Sequence, residues 1–239
     1  MAKDLQQRHN EHNQPIGFDV PDWKGALPPE DVRLQGTYCR LEPLDLEGHT
    51  DDLFDAFSAD TSGKSWTYMP VGPFQSRTEF RNWMTWATSS ADPLFSAIVD
   101  QKSGRAVGFA SYMRISPETG VIEVGYIAFS PLIQKSRLAT EAMYLMMKLI
   151  FDDLGYRRYE WKCDNLNQPS HNAARRLGFT YDGLFRQALV YKGRNRDTAW
   201  YSILDRDWPR LKSGFERWLS HENFSSDGTQ KSKLWDFTG

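Results

Sequence analysis

Val121-Ile-Glu-Val-Gly-Tyr-Ile-Ala-Phe-Ser130-Pro-Leu-Ile-Gln-Lys-Ser-Arg-Leu-Ala-Thr140-Glu-Ala142 is the stretch on which the fold turns. Its first nine residues are rich in β-branched and aromatic side chains and read as a strand, which Ser130-Pro131 interrupts. From Ser136 the apolar residues fall at helical spacing as far as position 153, and Gly155 closes the helix as a C-terminal cap. A strand thus feeds almost directly into a helix N-terminus, where unpaired backbone N–H groups and about half a positive charge make a natural seat for phosphate. Lys135 and Arg137 add formal charge there. Many helices open on basic residues, so an ordinary solvated helix start fits this segment as well.

Upstream, Leu94–Asp100, 106–115 and 120–129 form three strand-like runs joined by the turns Lys102-Ser-Gly104 and Pro117-Glu-Thr-Gly120, an antiparallel meander. Before them lie a strand at 36–42, an amphipathic helix at 47–59 and a turn-rich segment at 60–73. Ser76-Arg-Thr-Glu79 has the form of a capping box opening a helix through Phe80, Trp83, Met84 and Ala87. Downstream come a strand at 158–163, a helix at 170–177 ended by Gly178, strands at 185–191 and 198–204 turning at Gly193, and a helix at 208–221. The class is mixed α/β (α+β). The organisation expected is an extended arm over 1–35, a domain over 36–221 and a tail over 222–239. The arm, punctuated by Pro15, Pro21, Pro28 and Pro29, would dock through Ile16, Phe18, Val20 and Trp23; the tail would use Trp235 and Phe237.

The charge balance limits the partners. Among 239 residues, 29 Lys and Arg nearly cancel 31 Asp and Glu, for a net charge of −2, which removes the broad attraction that non-specific nucleic-acid or anionic-membrane binding needs. Two cysteines, Cys39 and Cys163, far apart, argue against a disulfide-stapled scaffold and read as buried thiols. The most apolar run, 138–151, is broken by Thr140, Glu141 and Lys148, so no membrane span is expected; the first ten residues have no hydrophobic centre. The expectation is a cytoplasmic protein. His9 and His12 lie in a polar arm without a second ligand pair, so no metal is expected.

A second helix start is as informative as the first. Asn165-Leu-Asn167-Gln-Pro-Ser170-His-Asn-Ala-Ala-Arg-Arg-Leu-Gly178-Phe179 offers Asn167 or Ser170 as an N-cap. Glu-x-Gly-Tyr at 123–126, Gln-x-x-x-x-Ala-Thr-Glu-Ala from 134 to 142 and Asn-x-x-Ser-x(7)-Gly-Phe from 167 to 179, at this separation and after these strands, resemble the GCN5-related N-acyltransferases (GNAT), and within them the RimJ/RimL-like branch. The resemblance covers most of 38–204. It implies a mostly antiparallel sheet splayed between its central strands, with acetyl-CoA in the opening. It further implies pantetheine against the backbone of Ile127, Ala128 and Phe129, and pyrophosphate on the turn Gln134, Lys135, Ser136, Arg137, Leu138, Ala139 and Thr140. Asn167 and Ser170 would sit near the pantetheine and the sulfur.

The chain departs from that family in two places. Arg137 stands where the usual phosphate loop has its first glycine, so its side chain must swing aside or meet a phosphate. The strand after the second helix reads Arg186-Gln-Ala-Leu-Val-Tyr191, without the carboxylate that ribosomal-protein acetyltransferases of the branch carry. Glu123 is the candidate base, acting through water on an ammonium that must lose a proton before it attacks; the competing reading is a structural carboxylate paired with an arginine or hydroxyl. Strand alternation would put Glu123, Gly125 and Ile127 on one face. Ser170 would give a proton to the departing thiolate, with Tyr191 and Tyr201 as alternative acids. Trp66, Tyr68, Trp83, Trp86 and Phe95 are candidates to line the acceptor mouth, and Lys192-Gly-Arg-Asn-Arg196 forms a basic turn that reads as solvated charge, the other reading being a contact to an acidic substrate or the 3′-phosphate of coenzyme A. The resulting expectation is acetyl transfer in a ternary complex to a primary amine: a protein N-terminus, an aminoacyl group or a small amine. The chain would be a monomer or homodimer, and the alternative is a silent acyl-CoA-binding or sensing protein of the same fold.

Overall fold

The computed structural model describes residues 8–238. Beyond a two-residue pairing of β1 (Arg8–His9) with β2 (Pro15–Ile16), the strands form one eight-stranded sheet. They are β3 (Leu34–Gln35), β4 (Cys39–Pro43), β5 (Leu94–Asp100), β6 (Ala106–Ser116), β7 (Val121–Phe129), β8 (Arg158–Asp164), β9 (Thr180–Tyr191) and β10 (Arg194–Leu204), in the spatial order β3-β4-β5-β6-β7-β8-β10-β9. Every neighbouring pair is antiparallel except β7 and β8. The expected meander is β5-β6-β7.

Helices cover both faces. α1 (Leu46–Ser58) and α2 (Arg77–Ser89) bury Leu53, Phe57, Phe80, Trp83 and Met84 against Phe95 and Phe109 on one side. α3 (Arg137–Lys148), α4 (Gln168–Arg176) and α5 (Trp208–Leu219) bury Met143, Met146, Ala174, Leu211 and Phe215 against Ile122, Val124 and Tyr159 on the other. The capping box opens α2: Ser76 Oγ accepts from Glu79 N, and the Glu79 carboxylate accepts from Gln75 N, one residue earlier than in the usual arrangement. The long helix does not stay α-helical to its end; residues 149–153 form a π-helical turn.

What positions the site is where β7 and β8 stop pairing. Their register runs from Val121 opposite Arg158 to Val124 opposite Trp161 and no further. Beyond it, Gly125–Phe129 stay paired on their other side with β6, and Lys162–Asp164 with β10, so the two strands diverge and present unpaired edges to the gap. A bulge accompanies the divergence. Ser111 faces Gly125 and Phe109 faces Ala128, leaving two β7 residues opposite one on β6, with Tyr126 at φ +47°. The bulge corrects the expected facing of the strand. Ile122, Val124, Ile127 and Phe129 join the α3-side core while Tyr126 and Ala128 join the α1/α2 side, so Ile127 does not share a face with Glu123 and Gly125.

The described parts of both arms are docked, Trp23 and Phe237 as expected and the other expected residues not in the same way. Ile16 and Phe18 are exposed, whereas Val32 is buried, Trp23 Nε1 donates to the Glu118 carbonyl at 2.8 Å, and the Trp23 ring packs over Gly120. In the tail Leu234 is buried and Trp235 exposed, and a last turn, α6 (Trp235–Thr238), lies against α5. The hairpin β9–β10 is longer than the two runs read from sequence, because bulges near Gln187 and Asp197 interrupt the pattern without ending the pairing.

Candidate functional site

The first wall of the gap is the start of α3. Ser136 is its N-cap, with Oγ accepting from Ala139 N at 3.1 Å. Lys135 precedes it at φ +59°, and Gln134 Nε2 donates to the Phe129 carbonyl at 3.1 Å, folding the turn back on the end of β7. The amides of Arg137 and Leu138 occupy the first two helical positions, which have no intrahelical acceptor. Leu138, Ala139 and Thr140 are buried, so this turn offers a ligand its backbone, with Gln134, Lys135 and the half-buried Arg137 at its edge. The Arg137 side chain has swung aside, its Nη1 donating to Tyr38 Oη at 2.9 Å.

Glu141 explains why this turn is fixed. Its buried carboxylate accepts from three successive backbone amides, Thr37 at 2.8 Å, Tyr38 at 2.6 Å and Cys39 at 2.8 Å. A Cβ on Gly36 would stand 2.6 Å from that carboxylate, so the close approach requires glycine there. Sequence reasoning saw Glu141 only as a motif letter; its long-range role has no local signature.

The second wall is α4. Asn167 is the N-cap, its Oδ1 accepting from Ser170 N at 3.2 Å, which leaves the Ser170 side chain free of capping duty. Trp161 Nε1 donates to Ser170 Oγ at 2.9 Å. That bond uses an acceptor lone pair of the hydroxyl and leaves its proton available.

The floor on the α1/α2 side is charged. Tyr159, Trp161 and Cys163 belong to the α3-side core, so Glu160, Lys162 and Asp164 project from the opposite face of β8. Lys162 Nζ donates to Glu123 Oε2 at 2.7 Å and lies 2.8 Å from Glu160 Oε2 and 3.6 Å over the Trp200 ring. Arg114 Nε lies 3.0 Å from the same Glu123 oxygen. Glu123 is thus a paired carboxylate. Burial nevertheless pushes its pKa above the usual carboxylate range, because Lys162 is shared with Glu160 and offsets only part of the lost hydration. Asp164 is also buried; its carboxylate accepts from Leu166 N at 2.8 Å and from Tyr191 Oη at 2.9 Å. Burial and that carboxylate push the Tyr191 phenol up to about 12.

The 60–73 segment is tied down by loop-to-loop bonds. Tyr68 Oη donates to the Leu166 carbonyl at 3.0 Å; Lys192 Nζ donates to the carbonyls of Trp66 and Val71 at 2.9 and 3.1 Å, and Arg194 Nη2 to that of Thr67 at 2.7 Å. The basic turn is therefore a docking element for the 60–73 segment rather than solvated charge. Of the aromatic residues expected at the mouth, Trp66, Trp83 and Phe95 are instead buried in the α1/α2 core, where Trp83 lies 4.8 Å from Phe109 and 5.8 Å from Phe95 between ring centroids. Tyr68 and Trp86 keep exposed surface. Tyr201 is buried too, with Oη 2.5 Å from His171 Nδ1. Burial pushes both thiols, Cys39 and Cys163, upward, away from the nucleophilic thiolate. No helix among the described residues is long and apolar enough to cross a membrane.

A domain model described as "Acetyltransferase (GNAT) domain" matches residues 39–180. A GCN5-related N-acetyltransferase from Brucella melitensis is 47% identical, with a TM-score of 0.90 over 92% of this chain and 99% of its own. The uncharacterized N-acetyltransferase p20 of Bacillus licheniformis is 28% identical over 178 residues, 70% of this chain and 99% of that protein. At 20% identity and a TM-score of 0.62, covering 72% of this chain, the Salmonella typhimurium acetyl transferase that modifies the N-terminal serine of ribosomal protein L7/L12 shares the fold.

Proposed function

Since the chain belongs to the GNAT family of N-acetyltransferases, we propose that it moves an acetyl group from acetyl-CoA to a primary amine by direct attack in a ternary complex. The observation that carries this is the divergence of β7 from β8 after Val124 and Trp161, beside the capped start of α3. An extended pantetheine fits along the unpaired edge of Ile127, Ala128 and Phe129 as an added strand would, with the pyrophosphate on the turn Gln134–Thr140 and Asn167 at the narrow end. The cofactor supplies the activated acetyl thioester; the rest falls to the side chains around it.

Ser170 is the proton donor toward the departing thiolate, a role its indole-accepting hydroxyl supports. Tyr191 already directs its proton to Asp164 and stands at the acceptor mouth as the reserve acid. Glu123 is the base, relayed by water, and a pKa raised by burial makes it a stronger proton acceptor than an ordinary carboxylate. Tyr68, with Trp86, lines the entry of the amine, while Trp66, Trp83 and Phe95 back that wall. The acceptor is a protein N-terminus, an aminoacyl group or a small amine.

The test is calorimetric titration with acetyl-CoA, desulfo-CoA and ATP, followed by thiol release across an amine panel. Micromolar binding of both CoA species but not ATP, with turnover lost in Ser170→Ala while binding survives, is the expected result. Binding without turnover on any amine would favour the silent acyl-CoA-binding alternative, for which the paired state of Glu123 is the supporting observation. No CoA binding would overturn both.

A further inference from the structure

Several arginines around the sheet close on carboxylates: Arg77 on Asp51 and Asp55, Arg105 on Asp52 and Asp55, Arg114 on Glu123, Arg158 on Glu160 and Asp182. Two that flank the first turn of α3 do not. Among the described residues neither Arg137 nor Arg176 makes an ion pair; each gives one side-chain hydrogen bond, to a hydroxyl, and rests on rings. Arg137 Cζ lies 4.7 Å from the centroid of Tyr38 and 3.8 Å from that of Phe224. Arg176 Nη1 donates to Thr140 Oγ1 at 3.1 Å, and its Cζ lies 5.0 Å from the Trp218 centroid. Phe224 and Trp218 meet edge to face at 5.1 Å, which makes Tyr38, Arg137, Phe224, Trp218 and Arg176 one continuous ladder.

Thr140 follows Arg137 by three residues, so both guanidiniums serve the same flank of the helix start. Ring faces stabilise a guanidinium without neutralising it and without consuming its in-plane N–H groups, most of which stay available. Burial lowers the Arg176 pKa, and no anionic neighbour opposes that shift. Neither guanidinium is neutralised by a carboxylate, so an anion that reaches this flank meets two unpaired cations. The pyrophosphate of the proposed cofactor is served by the backbone of the turn; these side chains lie on the flank toward α4 and α5, where a separate terminal dianion would fit.

We propose that Arg137 and Arg176 form the seat of the 3′-phosphate of coenzyme A, built by the rings of Trp218 on α5 and Phe224 five residues past its end, both beyond the part of the chain that the domain model matches. This rests on the acetyl-CoA reading above. The 3′-phosphate is a terminal group with three free oxygens, which two guanidiniums can grip from two sides.

The full chain is titrated with coenzyme A and with 3′-dephospho-coenzyme A. The wild type should bind coenzyme A about tenfold or more tighter, the magnitude expected of charged hydrogen bonds. Arg176→Gln and Arg137→Gln should each weaken coenzyme A about tenfold while dephospho-coenzyme A stays within about twofold, which also shows that the variants are folded. Arg157→Gln, whose guanidinium stacks on Trp23, should change neither. Equal wild-type affinity for the two ligands, or variants that weaken both alike, would overturn the seat and leave the acetyl-CoA reading standing. A wild type that binds neither ligand would overturn that reading, and the seat with it.

Discussion

Glu123 shows how one residue carries two competing jobs. Its carboxylate is held by Lys162 and Arg114, yet burial keeps its folded pKa above the ordinary value of about 4.3. Between those two values the folded chain binds more protons at this site than the unfolded chain, so its contribution favours folding at low pH and is lost as pH rises. The difference in unfolding free energy between wild type and Glu123→Gln should therefore fall as pH rises from about 4.3 through the raised value, then level off. Urea melts at a series of pH values measure it, and a flat difference would remove the raised pKa. Catalysis separates the roles. If Glu123 is the base, Glu123→Gln erases the acid limb of kcat/KM; if it is only a strut, the limb survives and the rate scales with the folded fraction. Tyr191, raised to about 12, predicts that no alkaline inflection from this phenol enters the profile below about pH 11. An inflection that vanishes in Tyr191→Phe would contradict it.

Among the elements, α3 has the most consequential attachment. Glu141 satisfies three amides of the segment leading into β4 and so fixes both the α3 start and the Tyr38 ring beneath Arg137. Glu141→Ala strands those donors, at a cost of about 3 kcal/mol or more. For a chain of this size that is a fall in Tm of roughly 6–12 °C. Thermal melts read it directly, and a shift under a degree would mean that water replaces the carboxylate at no cost. The element pattern itself was legible from composition and spacing: the meander, both helix starts and their caps follow from Ser136, Asn167, Gly155 and Gly178. The exceptions were bulges. Tyr126 at positive φ moves Ile127 to the opposite face, and no residue type there announces the change, since tyrosine is an unlikely occupant of that conformation. Gln187 extends β9 past the point where alternation breaks.

For the whole molecule, the C-terminal segment belongs to the fold rather than trailing from it. Leu234 is 1% exposed and packs in the α3-side core, while Phe224 covers Arg137. Leu234→Ala should cost about 2–5 kcal/mol. Chemical denaturation tests this, and an unchanged midpoint would show the tail to be dispensable.

By itself, the sequence determined the family, the order of strands and helices, the two helix starts that face the gap, and the absence of a carboxylate from 186 to 191. These are local properties, written in spacing, caps and glycines, and they survive without knowing what packs on what. Tertiary structure alone decided which aromatics became core, with Trp66, Trp83 and Phe95 interlocked beneath the mouth, because burial depends on what the opposite layer supplies. It also decided the partners of charge. Lys162 between Glu123 and Glu160, Glu141 on three distant amides, Arg137 on Tyr38 and Arg176 on Thr140 are pairings across as many as 104 positions of chain, which no local pattern encodes.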